Sequence, residues 1–342
     1  RHFLLIKMKK STGKVTIWDV AEQAQVSKST VSLVLTNSDK VSKKSKEKVL
    51  AAIDKLGYVY NRDAAALRSK RSNLVALVIN DLTNPYSAQL AVGLEKHIFK
   101  LGMLPMLVNI AECVERQTQV VKTLKEYNVS AFIMCPAPGT EQQWQDDLIN
   151  SGFPVINIMR EIPFSAAPCI LPDNKKGTHI STSHILSQGI EEVAFLGGTA
   201  EISDYHERLS GFLAALEQFN ITDEKPVIQA PTNRQGGREA FNTLIKQAPN
   251  TKAIVCFNDV IAYGAIEAMR QHGLEPGKDI KVIGFDDLED SRLMLPSLST
   301  IAINADEIGK RTCQVLKELL DKSTPPVRTL VDVNLKIRDS SQ

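Results

Sequence analysis

Residues 16 to 36 read T-I-W-D-V-A-E-Q-A-Q-V-S-K-S-T-V-S-L-V-L-T. Thr16 and Asp19 have the three-residue spacing of a helix capping box, and Ile17, Val20, Ala21 and Ala24 then share one helical face. Ser27 is placed to cap a second helix with the apolar stripe Val31, Val34 and Leu35, so only Gln25 and Val26 remain for the turn. Two helices joined this tightly are either an amphipathic hairpin or a helix-turn-helix, whose second helix enters the DNA major groove. Its outward face carries Lys28, Ser29, Thr30, Ser32 and Leu33, small polar side chains with one cation and one apolar residue.

From Val41 the chain continues V-S-K-K-S-K-E-K-V-L-A-A-I-D-K-L-G-Y. Ser42 can cap a third helix, Val49, Ile53 and Leu56 face inward, and Gly57 suits the C-terminal stop. The charge decides between the two readings of the hairpin. Through Ser72 there are 16 Lys and Arg against 6 Asp and Glu, a net of +10, while the rest of the chain nets −8 within a total of +2. A basic head on an acidic body is the electrostatic footprint of a phosphate-backbone partner confined to one end, so double-stranded DNA is the expected partner.

Beyond residue 72 apolar strands alternate with helical stretches. L-V-A-L-V-I at 74–79 suits a strand buried on both faces, and a helix follows Pro85 and runs to Gly102. The beat recurs through A-F-I-M-C at 131–135, V-A-F-L-G-G at 193–198, A-I-V-C-F at 253–257 and K-V-I-G-F at 281–285, with a helix expected to open at Arg208. This predicts an all-α head followed by an α/β core of two parallel-sheet lobes. In such sheets ligands bind off the C-terminal strand ends, which singles out Asn80, Asp81, Arg160, Asn258, Asp259, Asp286 and Asp287. Strand-end Asn and Asp also cap helices, and Arg208 could pair with Glu201 or Glu207, so these residues have structural uses as well.

Other signals are negative. Five scattered Cys suggest reduced, buried side chains without a zinc site or disulfide framework. His179 and His184, five apart, point about 140° from each other on one helix, and no metal motif is present. Gly197-Gly198 without G-K-[ST] fits tight strand-to-helix packing better than a phosphate loop. No apolar stretch approaches a membrane span or an export signal, and a cytoplasmic protein, nucleoid-associated when on DNA, is expected. No nucleophile or general-base set is visible, so neither an enzyme nor a cofactor is expected.

The head, together with N-R-D-A-A-A-L at 61–67, N-P-Y at 84–86, D-N-K-K-G at 173–177, R-L-S-G-F at 208–212, F-N-D at 257–259, V-I-G-F-D-D at 282–287 and V-N-L-K-I-R-D-S at 333–340, resembles the lactose-repressor (LacI/GalR) family of bacterial transcription regulators. The resemblance implies a homodimeric repressor with a periplasmic-binding-protein-like core and a small, sugar-like effector. It implies a DNA-binding domain over 8–60, a hinge over 61–72 and a core over 73–340, with one lobe at about 73–172 and 301–330 and the other at about 173–300 and 331–340. DNA contacts are then expected from Thr16, Ile17, Trp18, Ser27, Lys28, Ser29, Thr30, Ser32, Leu33, Lys40, Ser42, Ser45 and Tyr58, and from Asn61, Ala64 and Leu67 in the hinge, with Leu67 wedged into the minor groove. Effector contacts are expected from Asn80, Tyr86, Arg160, Arg208, Asn258 and Asp286.

Two departures matter. Leu33 stands where the lactose repressor has a base-reading Arg, which changes the preferred operator, and Thr232 stands where many members have an aromatic residue. Two other classes share parts of the pattern: a sugar-transport receptor, which would need an export signal and no basic head, and a metabolic enzyme with a DNA-binding head, which would need a catalytic set.

Overall fold

Helices α1 (Ile17–Ala24), α2 (Lys28–Leu35) and α3 (Lys43–Leu56) follow the caps written into their sequence. The computed structural model describes residues 15–35, 38–60 and 72–342, which fall into two units divided after Ser72. In the first unit the Thr16 backbone N–H and hydroxyl both donate to Asp19 Oδ2, each at 2.7 Å. Gln25 turns the chain in the left-handed region at φ 55°, and the Ser27 hydroxyl accepts from Thr30 N–H at 3.1 Å to start α2. Ser42 caps α3 by accepting from Ser45 N–H at 3.3 Å, and Gly57 ends it at φ 61°. Val20, Val31 and Val49 are fully buried where the three helices meet. On α3 the fully inward pair is Val49 and Ala52, while Ile53 and Leu56 pack at the edge of the core.

The second unit holds two six-stranded sheets. In chain order β1 (Leu74–Ile79), β2 (Leu104–Asn109), β3 (Ala131–Met134), β4 (Val155–Ile158) and β5 (Cys169–Pro172) belong to the first sheet. Strands β6 (Val193–Leu196), β7 (Val227–Ile228), β8 (Ala253–Cys256), β9 (Lys281–Asp286) and β10 (Ser299–Ile303) belong to the second. Then β11 (Arg328–Val331) returns to the first sheet and β12 (Val333–Lys336) to the second. The orders are β11-β5-β4-β3-β1-β2 and β12-β10-β9-β8-β6-β7, parallel throughout except for the β10–β12 pair. The connecting helices are α4 (Pro85–Lys100), α5 (Val114–Glu126), α6 (Gln142–Asn150), α7 (Asn174–Leu186), α8 (Ser203–Gln218), α9 (Arg234–Gln247), α10 (Asp259–Gln271), α11 (Glu289–Leu293) and α12 (Ala305–Leu320).

The two-residue period of β1 explains its uninterrupted apolar run. Val75, Leu77 and Ile79 join a cluster with Leu90, Leu94 and Ile98 of α4, while Ala76 and Val78 join another with Val121 and Leu124 of α5 and Leu148 of α6. Strands β5, β7, β10 and β11 extend the sheets beyond the alternation legible in the sequence; β7 is only two residues long, and β10 and β11 open on polar residues that break the apolar run.

The chain crosses between the sheets three times, at Asp173, Asn304 and Asp332. The expected crossing at 300/301 falls inside β10, whose Ile303 still pairs with Val333 in the second sheet. The crossing lies instead at Asn304, which caps α12 by accepting from Glu307 N–H at 3.1 Å. Likewise Val331, placed with the second lobe by sequence, pairs with Pro172 in the first sheet. Helix α8 also begins five residues before Arg208, so that arginine lies in the second turn and not at the helix opening. Gly197 and Gly198, at φ 93° and 77°, sit so close to Ile261, Phe257 and Tyr205 that a Cβ would meet carbon atoms at 2.7–2.8 Å. Their function is close packing between β6 and its neighbours.

Candidate functional site

The head offers a reading surface. Ser29 and Leu33 on α2 are exposed, and Lys28, Thr30 and Ser32 are half-buried. The Lys28 ammonium lies 4.5 Å from the ring centroid of Trp18, itself 63% exposed, so the only cation among the outward residues of α2 is held by an aromatic face from α1. Ser27, Ser42 and Ser45 are engaged in capping, with Ser42 Oγ 3.0 Å from Ser45 Oγ. Ile17 and Tyr58 pack on the small core, Thr16 is held by Asp19, and Lys40 is exposed in the turn before α3. Asn61, Ala64 and Leu67 lie outside the described residues.

The second unit has a cleft enclosing about 520 Å3 of space, part of it open solvent. Its walls come from the C-terminal ends of strands in both sheets. Asn80 follows β1, Glu112 follows β2, Cys135 follows β3 and Arg160 follows β4; Thr232, Phe257, Asn258 and Asp286 follow or end strands of the second sheet. Both sheets reverse their winding at this place, between β1 and β3 and between β6 and β8, where open parallel sheets hold ligands. All six residues singled out from the sequence, Asn80, Tyr86, Arg160, Arg208, Asn258 and Asp286, line the cleft.

They are not equivalent. Arg208 donates from Nε to Asn174 Oδ1 at 2.9 Å and from Nη1 to the Phe257 carbonyl. Its guanidinium carbon lies 3.8 Å from the Phe285 ring centroid and 4.4 Å from that of Phe257. Neither Glu201 nor Glu207 forms an ion pair with it; Glu207 instead accepts from Asn174 and Arg328. Asp286 and Asp287 both have left-handed φ, 121° and 58°, and strain of this kind concentrates at functional sites. Burial pushes the Asp286 carboxyl well above the usual carboxylate range, an effect the Arg208 charge offsets in part. Tyr86 is 4% exposed and its hydroxyl has no hydrogen-bond partner among the described residues, while burial keeps its phenol protonated far above the usual range. Asn258 uses its carbonyl oxygen to cap α10, accepting from Ile261 N–H at 3.0 Å.

Arg160 and Asn80 serve the wall. Arg160 grips Glu112 with both terminal nitrogens, at 2.6 and 3.0 Å, and Asn80 donates to the same carboxylate at 2.8 Å. The Arg160 Nε lies 3.4 Å from Asp204 Oδ1 across the cleft, close enough for charge attraction, although that oxygen accepts no hydrogen bond among the described residues. Glu112 and Asp204 were not singled out from the sequence. Glu112 follows the M-L-V-N strand closely enough for the strand-end rule to reach it, whereas Asp204 carries no local signal.

Two strand-end acids lie elsewhere. Asp259 is fully buried and accepts from Thr300 Oγ1 at 2.6 Å, Ser291 Oγ at 2.7 Å and Leu288 N–H at 2.9 Å, tying β10 and α11 to α10. Asp287 is paired with Arg338. Among the described residues no group of His, Cys, Asp and Glu could hold a metal ion, and no helix is long and apolar enough to cross a membrane.

Residues 16–61 match the model of the bacterial regulatory proteins of the lacI family, and residues 72–338 match that of the periplasmic binding proteins and sugar binding domain of the LacI family. The chain is 30% identical to the HTH-type transcriptional regulator DegA of Bacillus subtilis, over 86% of its length and 88% of that protein's. It is 32% identical to the maltose regulon regulatory protein MalI of Escherichia coli, over 78% and 79%, and the V-S-L-V-L run at 31–35 resembles that protein's head. A crystal structure of the lac repressor dimer bound to operator and the anti-inducer ONPF superposes with a TM-score of 0.85 at 26% identity, covering 96% of this chain and 99% of that one. A complex of the transcriptional regulator CelR with cellobiose shares the fold at a TM-score of 0.72 and 23% identity, covering 96% of this chain and all of that one. A basic helix-turn-helix unit and a two-sheet core with a polar cleft, each matched over almost its whole length, place this chain in the lacI family of bacterial regulatory proteins.

Proposed function

We propose that this chain is a sequence-specific DNA-binding transcriptional repressor whose operator affinity is set by a small polar effector held in the cleft. The observation that carries the reading is the presence, on a chain with a basic helix-turn-helix, of a cleft where the buried Tyr86 hydroxyl stands unpaired beside Arg208 and the strained Asp286. Unpaired buried polar atoms cost stability and are explained by a ligand that satisfies them. Arg208, Asp286, Asn258 and Tyr86 contact the effector, while Arg160 and Asn80 act through Glu112 to shape the wall. Lys28, Ser29 and Leu33 read base edges, and Lys40 meets phosphate.

The repressor acts as a homodimer on a two-fold symmetric operator, because one head covers too few base pairs for genomic specificity. Support comes from Val92 and Phe99, seven residues apart on α4, and from Leu104 and Leu107 of the edge strand β2, large apolar side chains that are exposed in the single chain. The protein works in the cytoplasm and catalyses no reaction. Selection of binding sites from random duplex DNA, with and without sugars, tests the whole reading. A two-fold symmetric consensus whose recovery changes with one sugar is expected, and no enrichment over input would refute it.

A further inference from the structure

Strand β9 is gripped at both ends by the segment that follows β12. Residues Asp339–Ser341 form a short helical turn in which Ser340 and Ser341 are fully buried. Ser340 Oγ accepts from Ser299 N–H at 2.8 Å and donates to the Val282 carbonyl of β9 at 2.6 Å. The Arg338 backbone is clamped as well: its N–H donates to Ser299 Oγ at 2.7 Å, and that hydroxyl donates back to the Arg338 carbonyl at 3.0 Å. Arg338 therefore stands on a fixed footing beside β9 and β10.

From this footing its guanidinium makes two contacts. Nη1 donates to the Leu298 carbonyl at 2.7 Å, and Nη2 pairs with Asp287 Oδ1. Asp287 follows Asp286, and the two form the corner at which β9 ends, with φ of 58° and 121° respectively. Side chains rarely adopt either value, so such a corner persists only where its surroundings hold it. Its amides are held by neighbours on β10 and α10: Thr300 Oγ1 accepts from Asp287 N–H at 3.3 Å, and Asp259 accepts from Leu288 N–H at 2.9 Å. The side chains oppose this arrangement, because Asp259 is close enough to both Asp286 and Asp287 for their charges to act on one another. Arg338 answers the Asp287 charge, and with the two side chains only 14% and 22% exposed, water and salt screen the pair weakly. Asp286 lines the cleft, whereas Asp287 and Arg338 stand outside its lining.

We infer that Arg338 is a positioning residue for the effector: by holding Asp287 it keeps the left-handed corner in place, and so fixes where the Asp286 carboxyl stands in the cleft. The inference rests on the reading of the cleft as the effector site. Without the guanidinium, Asp287 loses its cation while its acidic neighbours remain, and the corner relaxes.

Two measurements on the full chain test it. D-Glucose, D-galactose, D-ribose, maltose and cellobiose are titrated calorimetrically, and the tightest of them becomes the probe. Arg338→Gln should bind this probe about tenfold more weakly than the parent, yet the two should agree within about twofold when both also carry Asp286→Asn. A segment that only stabilises the lobe would lower Tm and leave the affinity of the folded protein unchanged; that result, or an equal loss in both backgrounds, overturns the inference. Should Arg338→Gln not fold, Arg338→Lys, which keeps the charge but not the paired contacts, is read in the same way, with a loss of about threefold expected. The second measurement needs no sugar. A crystal structure of the same variant should show the Asp286 carboxyl displaced by about 1 Å or more, and an unmoved carboxyl overturns the inference. If none of the five sugars binds, the reading of the cleft as a sugar site fails, and the crystal structure alone decides whether Arg338 holds the corner.

Discussion

Replacing Tyr86 with Phe should have opposite effects on the empty and the loaded protein. The Tyr86 side chain is 4% exposed, and its hydroxyl finds no partner among the described residues, although Arg208 and Asp286 are near enough to act on it electrostatically. An unsatisfied buried hydroxyl costs about 1–3 kcal/mol, and Phe keeps the ring that fills the site. Tyr86→Phe should therefore stabilise the ligand-free core by about 1 kcal/mol, or about 2–4 °C in Tm for a unit of this size. With effector bound, the hydroxyl is satisfied and the same substitution removes a hydrogen bond worth about 1 kcal/mol, roughly fivefold in affinity. Thermal unfolding without ligand and calorimetry with the effector measure the two signs separately. A ligand-free variant less stable than its parent by about 0.5 kcal/mol or more would show that the hydroxyl is already paired in the resting protein, which would refute the reasoning.

Asp259 gives a prediction in pH. Burial pushes its carboxyl up to about 6, against hydrogen bonds from Thr300, Ser291 and Leu288 that pull the other way. The folded chain then holds this proton between about pH 4 and 6 while the unfolded chain releases it, so stability falls as pH rises through that window, by about 3 kcal/mol in total. Asp259→Asn cannot titrate, and urea unfolding at pH 4 and 7 should show the parent losing about 2.4 kcal/mol relative to the variant, because the unfolded carboxyl is itself partly protonated at pH 4; a constant difference would exclude the assignment. Gly93 of α4 lies so close to α12 that a Cβ would come 2.5 Å from the Ala305 carbonyl oxygen, and Gly93→Ala should destabilise the core by about 1–3 kcal/mol, read as a lower Tm. In the head, exchanging Lys28, Ser29 and Leu33 together for another family member's residues should redirect the selected operator, and an unchanged consensus would count against this reading face. Trp18→Leu removes the ring beneath Lys28 and should weaken operator binding by about 0.5–1 kcal/mol, with no further loss when Lys28 is already Ala.

Much of this protein is legible in short windows of sequence. Caps at Thr16, Ser27 and Ser42, the left-handed Gln25 and Gly57, and the period-two burial of β1 all arise from residues within a few positions of one another. Strand ends in parallel sheets converge by geometry, which is why Asn80, Arg160, Asn258 and Asp286 could be named before any fold was known, whereas Tyr86 and Arg208, both on helices, were named only through the family resemblance. What each of them does was decided by partners distant in the chain. Glu112, 48 positions before Arg160, takes its fork, and Asn174, 34 positions before Arg208, takes the Arg208 Nε. The strand-end rule alone treats Asp259 and Asp286 alike, as acids at the ends of apolar runs. Folding buries the first under Thr300, Ser291 and Leu288 as a structural tie, and leaves the second lining the cleft on strained backbone. Local periodicity and capping are set by neighbours along the chain, whereas charge pairing and desolvation depend on which distant groups the fold brings within a few ångströms, and only the tertiary structure decides that.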